Sequence, residues 1–203
     1  MVDDTREEEH DIAALLARWG HARDADNWEV LARCFHDDAT IHISWISAPA
    51  AEFVARSREL AAARRPGSYT KHLITGPWIQ VNGMRAFSRC HVNLYIRVEI
   101  GGHQLDLESW FRFFDRLEKR DGEWRIVERN AVYEKDRLDA VVPGSGAEQL
   151  IAGMDLSEFS PAARHLCYLQ TASGRPVPGQ LISVYSDEEA ALRQSCETWL
   201  AED

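Results

Sequence analysis

Three residues in this chain have side chains suited to moving a proton in an apolar setting. His72 lies in the stretch YTKHLITGP, residues 69–77, among strand-forming residues that end at a Thr-Gly-Pro break. Asp24 lies in HARDADNW, where an amphipathic run finishes. A carboxylate that accepts the Nδ1–H of an imidazole fixes its tautomer and favours a proton gained at Nε2. Nε2 is then a general base able to take a proton from carbon or from a hydroxyl. Arg129, in RIVERNAVY, alternates with Val127, Ala131 and Tyr133. A buried cation at that place can hold an anionic leaving group or an enolate oxygen. Each residue also has a plainer reading. His72 can be a satisfied core histidine, Asp24 a helix-end carboxylate, and Arg129 half of a structural ion pair.

The elements that would position these residues follow from periodicity. Thr5 and Glu8 have capping-box spacing and precede Ile12, Leu15, Leu16 and Trp19, predicting a helix from about Arg6 to Asp24. Asp26 with Glu29 predicts the cap of a short second helix through NWEVLARCF. ATIHISWI reads as a strand, and Pro49 opens a third helix that stops before Pro66-Gly67. Asn82-Gly83, Gly101-Gly102 and Asp121-Gly122 then suit two-residue hairpins, whose turns need positive φ. They divide the chain into strands near 69–81, 84–100, 103–120 and 123–135, a long antiparallel meander.

Alternation assigns the two faces of the meander. Ala86, Ser88, Cys90, Val92, Leu94, Ile96 and Val98 share one side of its second strand, and Leu105, Leu107, Phe111 and Phe113 one side of the third. That apolar face needs cover, and the helices before it are available. The fold class is α+β, a curved antiparallel sheet covered on its concave face by the N-terminal helices, with a helical C-terminal extension. Such a cone is expected to hold a pocket.

The expected organisation is a domain over 1–140 and an extension over 141–203, packed on the domain or on a neighbouring subunit. Ser160-Pro161 begins a short helix, and Ser186 with Glu189 forms another capping box before the last one.

Bulk properties narrow the function classes. The 203 residues include 45% hydrophobic side chains, enough for a packed core. A formal net charge of −10 opposes binding to nucleic acid and to an anionic membrane surface. The acidic start lacks the pattern of a secretory signal, and no apolar run is long enough to span a bilayer, so a cytoplasmic location is expected. Cys34, Cys90, Cys167 and Cys196 are widely spaced and read as buried thiols. His36 with Asp37 and Asp38 reads as an acidic loop, and no metal site or cofactor motif is expected. Tyr95, Trp110 and Phe114 fall on the polar side of the sheet, which predicts a subunit contact and a homodimer or homotrimer.

ARDADNWEVLARCFHDDATI, YTKHLITG and FDRLEKRDGEWRIVER together resemble the helix–loop–helix signature, the histidine strand and the last hairpin of the NTF2-like (SnoaL-like) superfamily. The likeness runs over about residues 8 to 136 and is nearest to the branch of scytalone dehydratase and hexachlorocyclohexane dehydrochlorinase. The resemblance implies an Asp–His base formed by Asp24 and His72, with Arg129 as the last-strand arginine. It implies a substrate wall at Leu94, Phe113, Ala131 and Tyr133, of which alternation places Leu94 and Phe113 on the apolar face independently. Gly76 stands where the family usually has Asn, and Trp19 where the dehydrochlorinase has a lysine.

The implied function is a cofactor-independent lyase of dehydratase type, or an isomerase. Its substrate would be a small, largely apolar, oxygenated molecule, aromatic or polycyclic if the Phe and Tyr walls decide it. The alternative is a non-catalytic ligand-binding module, or a structural subunit like the β subunits of ring-hydroxylating oxygenases.

Overall fold

The computed structural model describes residues 2–202, with side chains from residue 5 onward. Helix α1 (Val2–Asp24) begins earlier than the sequence predicts, so Thr5 lies inside it and is not a cap. Glu8 instead reaches the sheet, where its carboxylate accepts hydrogen bonds from Lys119 Nζ at 2.6 Å and from the Trp124 indole N–H. Ile12, Leu15, Leu16 and Trp19 are all buried. At about 1.5–3 kcal/mol for each large apolar side chain, this stripe accounts for the docking of α1 on the sheet.

The helix stops for a local reason. Asp26 adopts φ +57°, and the Asn27 N–H bonds back to Ala22 O at 2.9 Å, closing a Schellman-type end. Asp26 is therefore a terminator, held by Arg64 at 3.0 and 3.2 Å, and the cap of α2 (Trp28–Ala32) is Asn27. Its Oδ1 accepts the Val30 N–H at 3.2 Å.

Strand β1 (Phe35–Ile43) turns into the short β2 (Ile46–Pro49), and Pro49 is the N-cap of α3 (Ala50–Ala62). The meander follows as β3 (Tyr69–Asn82), β4 (Arg85–Ile100), β5 (His103–Arg120) and β6 (Glu123–Ala140). The three hairpins are present. The first turns on Gly83-Met84 with positive φ only at Gly83, the II′ pattern, one residue later than the sequence predicts. The other two turn at the predicted pairs with positive φ at both residues. The sheet order is β2-β1-β6-β5-β4-β3, with β1 parallel to β6 and the rest of the path antiparallel. Val127 and Glu134 are extra residues in β6 opposite β5, and such bulges bend a strand, here around the helices.

The C-terminal segment contributes α4 (Ala147–Ala152), α5 (Arg164–Ala172), β7 (Ile182–Ser183) beside β6, and α6 (Asp187–Ala201). Ser186 caps α6 by accepting the Glu189 N–H at 3.1 Å. The last helix consequently covers part of the second face, while Tyr69 and Leu73 on β3 stay exposed. The concave face holds the main core, while Phe87, Phe114 and Val132 on the other face form a second cluster with Cys196 of α6. This corrects one sequence expectation. Phe114 is not an exposed aromatic awaiting a subunit, because the chain's own last helix buries it completely.

Candidate active site

The site is assembled by the contact of α1 with β3. Gly20 makes the approach close: a Cβ there would lie 3.2 Å from Ile74 Cδ1. One helical turn later, at the last residue of α1, Asp24 meets the edge strand. Its Oδ1 lies 2.7 Å from His72 Nδ1. Its Oδ2 accepts the backbone N–H of His72, also at 2.7 Å. β3 has a sheet partner only on its β4 side, so this carboxylate satisfies an amide the sheet leaves open. With Asp24 an acceptor on both oxygens, Nδ1 carries the ring proton and Nε2 is left with its lone pair. Nε2 has no hydrogen-bond partner among the described residues. Burial pushes the His72 pKa below its ordinary value, while the Asp24 contact pulls it upward. The depressed value makes the imidazole neutral near pH 7.

His72 lies on the wall of a cavity inside the cone. Leu94, its register partner on β4, flanks it, and Phe113 on β5 and Tyr133 on β6 complete the sheet side. Trp19 meets His72 edge-on at a centroid distance of 5.5 Å. Phe53 and Trp45 close one side, and Leu166 and Gln170 of α5 form the roof. The open room is about 40 Å³. An apolar cavity of about 150 Å³ is known to hold benzene, so any organic substrate of that size, aromatic or aliphatic, requires the walls to part.

Tyr133 is fully placed by its neighbours. Its hydroxyl oxygen accepts the Ser44 N–H at 2.8 Å, and burial pushes its pKa up, so the phenol keeps its proton as a donor.

Two of the residues named from the sequence lie elsewhere. Ala131 is buried but lines a shallow cleft toward His42 and Leu181, outside the cavity of His72. Arg129 is on the concave side yet sealed beneath it. Its Nε and Nη2 donate to Asp115 Oδ1 and Oδ2 at 2.7 and 2.8 Å. Its guanidinium carbon lies 4.3 Å from the Trp19 ring centroid and 4.0 Å from that of Phe113. The charge is thus neutralised and roofed by two rings, the plainer of its two sequence readings. Gly76, where the family usually has Asn, takes φ +57° at an irregularity between Thr75 and Trp78.

Sequence reasoning missed Arg23, Trp45, Phe53, Leu166 and Gln170. Arg23 had a signal, since it follows Trp19 by four residues and shares its helix stripe. The expected acidic loop is part of β1: His36 Nε2–H donates to Glu118 O at 2.9 Å and Asp38 pairs with Arg120, so both side chains are occupied by protein contacts. Among the described residues no group of three His, Cys, Asp or Glu side chains is arranged to hold a metal.

A bent sheet closed over an internal Asp–His pair defines the class of small cone-fold proteins with a buried polar site. The SnoaL-like domain family matches residues 4–130, and the chain belongs to that family. Pea pathogenicity protein 2 of Fusarium vanettenii is 30% identical over 169 residues, spanning 80% of this chain and 70% of that protein. A hexachlorocyclohexane dehydrochlorinase structure superposes with a TM-score of 0.59 at 17% identity, covering 71% of this chain and 99% of its own. A candidate scytalone dehydratase from Novosphingobium aromaticivorans gives 0.58 at 20% identity, covering 71% and 98%. At these identities the two structures establish the fold. Among the described residues no helix is long and apolar enough to cross a membrane.

Proposed function

We propose that the protein is a lyase or isomerase in which the Asp24–His72 pair removes a proton from carbon. The observation that carries this reading is the doubly anchored carboxylate: both Asp24 oxygens hold His72, leaving Nε2 free on a cavity wall. A ligand-binding scaffold has no evident need for that arrangement, whereas a base needs its tautomer fixed and its conjugate cation stabilised.

In the proposed reaction Nε2 takes the proton next to a carbonyl, and the C–H electron pair moves into the forming enolate. Asp24 steadies the imidazolium. The Tyr133 hydroxyl donates to the oxygen on which charge develops. In a dehydration the enolate collapses to C=C as the β-hydroxyl departs, and the imidazolium proton goes to that hydroxyl to give water. In an isomerisation the same proton returns to a different carbon. Arg129 acts here through packing: paired with Asp115, it backs the Trp19 and Phe113 rings that form the wall around His72.

The test is deuterium uptake. Small ketones and β-hydroxyketones are incubated with protein in D2O, and exchange next to the carbonyl is followed by proton NMR. We expect exchange with the wild type and a loss of about 10²–10⁴-fold in His72→Gln, the usual worth of a general base. Equal exchange in both proteins, or none above buffer across the series, would refute the reading.

A further inference from the structure

The cavity contains a cation that the mechanism above does not use. Arg23 of α1 lines the cavity together with His72 of β3. Its guanidinium sits 5.7 Å from the Trp28 ring and makes no ion pair or hydrogen bond with another described residue. The nearby carboxylates are already engaged. Asp24 is bound through both oxygens to His72, and both oxygens of Asp26 are held by Arg64. Arg64 and Arg175 are further cations whose fields reach Arg23. Arg64 and Arg175 lie outside the cavity, and Arg23 is the lysine-or-arginine cation among the residues that line it, beside a neutral imidazole.

Burial pushes the Arg23 pKa down to about 10, so the group is still charged near neutral pH. Arg23 is half-buried, a charge drawn partly out of water without a partner is costly, and a planar fork is best matched by a carboxylate. Arg129 does not serve, because it is not among the residues lining the cavity and its Nε and Nη2 are held by Asp115, with only Nη1 unpartnered. Two more residues that line the cavity carry a buried polar atom without a partner. Gln170 is 5% exposed with Oε1 unpartnered, and Trp19 is 2% exposed with its indole N–H unpartnered. The first is an acceptor and the second a donor. Around them the walls are apolar.

We infer that the cavity binds a small oxygenated carboxylic acid, with Arg23 holding the carboxylate and Gln170 accepting from a hydroxyl. This assignment rests on the proposed function for the fate of the substrate, but not for its binding. Carbon acid chemistry at His72 then takes place on a molecule oriented by its charged end. Arg23 is the specificity-determining residue of that site.

Crotonate and crotonamide provide the test, being alike in shape and different in charge. Each is titrated into the full-length protein while the Trp19 indole N–H is followed by NMR. We expect saturable shifts with crotonate and at least about tenfold weaker binding of the amide, in keeping with loss of a charge-assisted hydrogen bond. Arg23→Gln should abolish the preference, and Arg23→Lys should preserve most of it. Equal binding of acid and amide, no binding of either, or unaltered crotonate binding in Arg23→Gln would overturn the inference. If Arg23→Gln does not fold, the acid-to-amide ratio in wild type and Arg23→Lys decides alone. His72→Gln separates the two readings: retained crotonate binding with no deuterium uptake in wild type would remove proton abstraction and leave the anion site standing.

Discussion

Asp115 and Arg129 are direct register partners on β5 and β6, and their side chains join in a two-pronged ion pair with neither side chain exposed. Trp19 and Phe113 lie against the guanidinium. Breaking a buried pair from one side leaves the other charge stranded, at a cost of about 3–5 kcal/mol. Arg129→Ala should lose stability on that scale in urea unfolding, and Asp115→Ala likewise. A loss below about 1 kcal/mol in both would mean that water already reaches the pair.

The pH dependence of the proposed reaction follows from His72. Its folded pKa is depressed, so the base form persists below the ordinary value of 6.5. The rate should rise with pH through an apparent pKa under 6.5 and stay level above it. A rate that climbs between pH 7 and 8 would contradict a neutral, buried imidazole.

The same shift affects stability. Between pH 6.5 and the lowered folded pKa, the unfolded chain binds a proton at His72 that the folded chain does not. Stability is therefore lost as pH falls through that window. His72→Gln should show a shallower decline in its urea midpoint over this range than the wild type. Parallel curves would show that His72 titrates alike in both states.

All four cysteines are buried and free. Burial pushes the thiol pKa up, to about 11 for Cys34 and about 12 for Cys90 and Cys167. A thiolate-directed reagent should leave the native protein unmodified and label four thiols in denaturant. Rapid native labelling of any one would reveal a local opening.

Asp136 grips the start of α5 as Asp24 grips β3. Its oxygens meet His165 Nδ1 at 3.0 Å and the Leu166 N–H at 2.8 Å. Asp136→Ala should lower stability by about 1–3 kcal/mol and speed hydrogen exchange along α5 more than along β4. Uniform acceleration everywhere would assign the contact to the global fold instead.

The meander was legible because turn chemistry is local: positive φ at Gly101, Gly102 and Gly122 selects these residues from sequence neighbours alone. The Asp24–His72 contact was approachable through the likeness of its flanking segments to a known family. Its geometry, two bonds to one carboxylate, depends on Gly20 spacing and on which amide of an edge strand lies open, and neither is written in a local pattern. Arg129 shows the opposite limit. Alternation put it on the concave side, but only the partner at Asp115, fourteen residues away across a hairpin, decides whether its charge is available. The caps expected at Thr5 and Asp26 differ because α1 extends upstream to Val2, and because Asp26 takes the left-handed conformation that ends α1, with its carboxylate held by Arg64.

The hollow's floor and its ceiling come from unconnected stretches of chain. The base is set by α1 and β3, whereas Leu166 and Gln170 descend from a helix beyond the span matched by the family. Exchanging overhead side chains need not disturb the Asp24–His72 contact beneath. Such a division lets the entrance to the chamber change while the hydrogen-bonded pair stays in place.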